Sequence, residues 1–96
     1  PLDFLVITDV NTPNIPGVEV TAYPNPFASS IEFEAKGVSC KTLTINVFDI
    51  NGRLVRQEKA PGNQLRLLRN DLPAGMYAFQ LDADGRLIHT GKIIVR

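Results

Sequence analysis

The sequence predicts an all-β fold, an immunoglobulin-like antiparallel β-sandwich of about seven short strands. Apolar and polar residues alternate with period two in several runs, most cleanly in Ile31-Glu32-Phe33-Glu34-Ala35. Clusters of Gly, Pro, Asn and Asp separate those runs, with Asn51-Gly52 and Asp84-Gly85 the strongest hairpin signals. No segment sustains a helical period. The chain has one cysteine and no tryptophan, so it lacks the landmarks of antibody domains and the likeness is architectural only.

Taken in order, Phe4-Leu5-Val6-Ile7-Thr8 is a short apolar β-type run. Residues 9–17 follow with two prolines and a glycine, the composition of a loop or interdomain linker. Residues 1–17 are read as the end of a preceding domain plus a linker, with pairing of the first run onto this domain as the alternative. The domain itself is assigned to residues 18–96.

Val18 to Tyr23 alternates and predicts a strand that stops at Tyr23-Pro24-Asn25-Pro26-Phe27. Pro24 and Pro26 lack backbone donors and force their predecessors toward extended geometry, so this stretch marks a corner. In the next strand Ile31, Phe33 and Ala35 face the core while Glu32 and Glu34 face water. Leu43 to Ile50 is a longer β pattern, with Leu43, Ile45 and Val47 on one face. The other face turns apolar at Phe48 and Ile50, which predicts a central strand packed on both sides near its end.

Asn51-Gly52 predicts a type I′ hairpin, with Arg53 to Glu58 as its return strand. Ala60 to Asn63 predicts a break, and Gln64 to Leu68 a short strand. Leu72-Pro73-Ala74-Gly75 fits a type I turn with proline second and glycine fourth. Met76 to Asp82 carries Tyr77, Phe79 and Leu81 on one heavy apolar face. Asp84-Gly85 predicts another hairpin, and Arg86 to Arg96 returns as the last strand with a bulge or bend at Gly91.

The 96 residues suffice for one domain with a modest core. Hydrophobic residues make up 44% and charged residues 21%, which argues against disorder. Ten basic and ten acidic residues balance, so nothing favours nucleic acid or a membrane surface. No apolar run is long enough for a membrane-spanning helix. Cys40 has no internal disulfide partner. The chain begins with Pro1 and shows no signal peptide, so a fragment or processed product is expected.

Catalytic chemistry finds little support, and no cofactor or metal site is expected. His89 stands alone among the histidines, which suits a surface or edge position better than a metal site. Glu32 and Glu34 share a solvent face rather than two differently tuned environments. Ser29-Ser30 has no base beside it in sequence, and Cys40 reads as an inert, partly buried thiol. Asp82 and Asp84 lack the rest of a calcium loop. Tyr23, Tyr77 and Phe79 would form a carbohydrate platform if exposed, but the spacing puts Tyr77 and Phe79 in the core.

Four pieces occur in a fixed order: Tyr23-Pro24-Asn25-Pro26-Phe27, Val47-Phe48-Asp49-Ile50-Asn51-Gly52-Arg53-Leu54-Val55, Leu72-Pro73-Ala74-Gly75-Met76-Tyr77, and Gly91-Lys92-Ile93-Ile94-Val95-Arg96. Together they resemble the type A C-terminal sorting domain of the type IX (Por) secretion system of Bacteroidetes-type bacteria. Each motif alone is common; the ordered set over residues 18–96 is specific. Arg96 departs from members that end in lysine.

That resemblance implies a non-enzymatic address label. It implies export to the periplasm by a separate N-terminal signal, recognition by the outer-membrane translocon and shuttle components, and delivery to the cell surface or medium. It also implies removal by a surface sortase-like protease, with residues 1–17 as the end of the preceding cargo domain plus the exposed linker where cleavage falls. Recognition is expected to centre on Gly91, Lys92, Ile93, Ile94, Val95 and Arg96, read as an open strand edge; the alternative is that Ile93 and Val95 only pack the sandwich while Lys92 and Arg96 only keep the edge soluble. Tyr23 to Phe27, Asn51, Gly52, Leu72, Pro73, Gly75 and Tyr77 are expected to shape the fold. The competing reading is an accessory carbohydrate-binding or spacer sandwich of a secreted glycosidase or adhesin.

Overall fold

The computed structural model describes residues 17–96. The Phe4–Thr8 run and the linker through Pro16 lie outside the described residues. Seven strands follow one another: β1 (Glu19–Tyr23), β2 (Ser30–Lys36), β3 (Thr42–Phe48), β4 (Leu54–Pro61), β5 (Gln64–Leu68), β6 (Gly75–Ala83) and β7 (Arg86–Val95). They form a three-stranded sheet in the order β1-β2-β5 and a four-stranded sheet in the order β4-β3-β6-β7. All strand pairings in both sheets are antiparallel, so the expected all-β sandwich is the observed one.

Period two decides what is buried. Ile31, Phe33 and Ala35 of β2 face Leu65 and Leu67 of β5 on the inner side of one sheet. Leu43, Ile45 and Val47 of β3 line up with Ala83, Leu81 and Phe79 of β6 on the inner side of the other. Phe33 and Phe79 join the two layers edge to face, with ring centroids 5.0 Å apart. Each large side chain removed from water in this core contributes about 1.5–3 kcal/mol.

Several expectations change in detail. Among the described residues the outer face of β3 has no covering layer, because the second sheet lies on the inner side. Phe48 is therefore half-buried, and Ile50 is 58% exposed. Strand β4 runs on to Pro61 rather than ending at Glu58. It is an edge strand, where the missing proline N–H can face away from the ladder. The Asn51-Gly52 turn is not type I′: Gly52 has φ +85° but Asn51 stays at negative φ. Gly52 N–H donates to Asp49 C=O and Asp49 N–H to Arg53 C=O, both at 2.9 Å, so the loop is longer and ends in a left-handed glycine. Asp84-Gly85 does match, with φ +52° and +84°.

The hydrogen-bonded turn near Leu72 also moves. It closes from Leu72 N–H to Arg69 C=O at 2.9 Å, around Asn70 at φ +49°. Leu72 to Gly75 forms a corner instead. The irregularity expected at Gly91 lies near Ile88, because Leu81 pairs with His89 while Asp82 pairs with Leu87. Gly91 pairs regularly with Phe79. A Cβ at Gly91 would stand 2.9 Å from Phe79 Cε2, so glycine serves close packing of that ring rather than a bulge.

Candidate functional site

Strand β7 is the edge of the four-stranded sheet. Alternation sends Ile93 and Val95 into the core, and both are buried. Lys92 and Ile94 point the other way and are half-buried, while Arg96 is exposed. The edge is not open as expected. Asn25 Nδ2 donates to Lys92 C=O at 3.1 Å, and Ile94 N–H donates to Asn25 Oδ1 at 3.0 Å. Phe27 N–H donates to Ile94 C=O and Arg96 N–H to Phe27 C=O, both at 2.9 Å. Phe27 thus forms a one-residue parallel bridge to Val95 while its ring is buried.

The proline corner explains this contact. Pro24 and Pro26, both preceded by cis peptide bonds, have no N–H to satisfy. Asn25 between them presents its side-chain amide to β7 as if it were another peptide group. Tyr23 is 57% exposed and takes no part in the core.

On its other side β7 meets the corner motif, where Gly75 pairs with Val95 and Tyr77 with Ile93. Leu72 is buried and Pro73 exposed. The buried Tyr77 donates its phenolic O–H to Pro73 C=O at 2.6 Å. A tyrosine at the start of this strand bonding back to the preceding corner is a hallmark of immunoglobulin-like sandwiches. The hairpin motif joins the same end of the sheet through Phe48, which pairs with Ala78; Ala78 in turn pairs with Lys92. Asn51 and Gly52 are exposed in its loop.

Three residues that sequence reasoning did not single out hold these pieces. Asp49 Oδ1 accepts from the amides of Asn51 at 2.9 Å and Arg53 at 3.0 Å, and Asp49 pairs with the Arg53 guanidinium. The Arg53 amide, helped by the Asn51 amide and the Arg53 charge, holds the Asp49 carboxyl below the usual carboxylate range. Arg56 donates to Leu68 C=O at 3.0 Å and reaches Asp71 at 3.2 Å. Arg69 Nε donates to Leu72 C=O at 3.0 Å, and its backbone N–H to Ser29 C=O at 2.8 Å. The Asp-x-x-Gly-Arg spacing is the signal that would have found Asp49; the arginines leave no local trace.

The family model described as "Secretion system C-terminal sorting domain" matches residues 21–96, most of the chain. The chain belongs to this sorting-domain family. No curated protein matches it. The sorting domain is thereby a C-terminal sorting signal for type IX secretion, and its family is not one of enzymes. Membership implies interaction with the secretion machinery and secretion to the cell surface or extracellular space.

The titratable residues of the sorting domain do not converge. His89 is half-buried with its ring 5.9 Å from Phe79, and burial lowers its pKa. Burial raises the Asp82 carboxyl. Burial, with the Asp84 charge behind it, raises the Cys40 thiol, whose Sγ lies 3.3 Å from Gly62 C=O. Asp84 instead caps β3, accepting from the amides of Lys41 and Thr42, each at 3.0 Å. Glu32 pairs with Arg66, and Glu34 accepts from Gln64. No group of three or more His, Cys, Asp or Glu able to hold a metal occurs among the described residues. Tyr77 and Phe79 are buried, so they form no carbohydrate platform with Tyr23.

Proposed function

We propose that residues 18–96 are a removable address label, read by the type IX translocon and its shuttle components after the cargo reaches the periplasm. The label is recognised at the end of the sandwich built on β7, with Lys92, Ile94 and Arg96 as the side chains offered to the machinery. A surface sortase-like protease then cuts within residues 1–17, between the cargo and the label. The carrying observation is that the family's four motifs meet: the Asn25 and Phe27 corner holds one edge of β7, the Gly75 to Tyr77 segment pairs with the other, and Phe48 joins through Ala78. Because Asn25 and Phe27 already occupy the backbone groups of that edge, recognition falls to outward side chains rather than to strand addition there.

The test is a reporter carrying an N-terminal export signal and residues 1–96, expressed in a host with type IX machinery. It is expected in the medium or on the surface, with a new C-terminus inside residues 1–17. Deleting residues 92–96 also removes the partners of Asn25 and Phe27, so the deletion is paired with Lys92→Ala/Arg96→Ala, which keeps the backbone. Retention of the intact fusion in the periplasm would sink the address-label reading.

A further inference from the structure

We infer that the outer face of the four-stranded sheet, beside β7, is the docking surface for an apolar, acidic-rimmed protein surface of the secretion machinery. This rests on the address-label reading above and names where on the label contact is made. Leu54, Phe48, Ala78 and Lys92 are successive register partners across all four strands and so stand in one row on one face. Ile94, paired with Met76, extends the apolar surface one step along β7. Leu54 is 49% exposed at the register shift beside Phe48, and no strand among the described residues covers that face.

The row has a concave centre. Ala78 is small between Phe48 and Lys92, and a depression of about 290 Å³ opens there, bounded also by Gly52 and Thr90. It suits one apolar anchor side chain of a partner.

Charge selects the partner. Neither Lys92 nor Arg96 makes an ion pair among the described residues. The carboxylate at the rim, Asp49, is committed to Asn51 and Arg53. The free charge bordering the patch is therefore positive, and carboxylates on the partner would complement it. On the outer face of the other sheet the Glu32 charge is paired with Arg66, and Glu34 accepts a hydrogen bond from the neutral Gln64.

The experiment uses the same reporter fusion with single substitutions. Leu54→Glu and Lys92→Glu are each expected to reduce export by about tenfold or more, as interface centres respond when an anchor or its charge is reversed. Glu34→Gln, on the opposite outer face, is expected to export like the parent. Thermal unfolding of each purified domain identifies variants that fail by unfolding; Leu54→Ser replaces Leu54→Glu if the latter melts early. If the parent is exported and both patch variants keep pace with it, the docking surface is wrong while the address label stands. If the parent is not exported, the address label itself fails. Sedimentation of the isolated domain decides the other occupant: a dimer dispersed by Leu54→Glu would assign the face to a second copy and overturn the proposal.

Discussion

Asn25 holds Ile94 across 69 residues of sequence: the Ile94 N–H donates to Asn25 Oδ1 at 3.0 Å. The same amide donates to Lys92 C=O, so one side chain replaces a strand along part of the β7 edge. Asn25→Ala removes both bonds and is expected to cost about 1–3 kcal/mol, since each intramolecular hydrogen bond contributes about 0.5–1.5 kcal/mol. Amide exchange supplies the site-specific check: Ile94 N–H should lose protection far more than the central β3 amides. Equal loss everywhere would mean that Asn25 acts on global stability and not as a clasp on β7.

Tyr77 supports the other side of that strand. Its hydroxyl is the part of the side chain that closes the Pro73 corner; its ring is simply core. Tyr77→Phe keeps the ring and is expected to lower stability by about 1 kcal/mol. In urea the midpoint should fall with an unchanged slope, because the area exposed on unfolding stays the same. Retention of the wild-type midpoint would show that the corner holds without this bond.

Gly91 gives a steric prediction. An alanine Cβ would meet Phe79 Cε2 at 2.9 Å and Cζ at 3.0 Å, and the Phe79 ring is already packed against Phe33. Gly91→Ala is therefore expected to destabilise by about 1–3 kcal/mol. Phe79→Leu should recover part of that loss in the double variant, a non-additivity that contact between the two sites requires. Strict additivity would separate them.

The strands were legible because their alternation is local: Ile31, Phe33 and Ala35, or Tyr77, Phe79 and Leu81, announce their buried face by spacing alone. The four motifs were legible as an ordered set, though not as a place. Nothing in Tyr23 to Phe27 states that Asn25 will meet Lys92 and Ile94, because that contact depends on how two sheets close. The same limit made the β7 edge look open. Turn chemistry misled at Asn51-Gly52, where the Asp49 carboxylate captures the Asn51 and Arg53 amides and imposes a longer loop. It misled at Gly91 for the opposite reason, since the glycine answers a ring on the neighbouring strand and not a need of its own backbone.

His89 sets the pH response near neutrality. It is the only histidine, and half-burial beside Phe79 lowers its pKa from the ordinary 6.5. A histidine with a folded pKa below its unfolded one binds more protons when unfolded, so its presence makes stability fall as pH drops through 6.5 toward the folded value. The melting temperature is expected to decline between about pH 7.5 and 5.5, and His89→Gln should flatten that decline. Asp49, with its lowered pKa, loses its contribution only as pH falls through a value below the ordinary 3.8. Asp82, with its raised pKa, gains relative stability when it takes up its proton on acidification, opposing the histidine. An equal decline in wild type and His89→Gln would place the titrating group elsewhere in the chain.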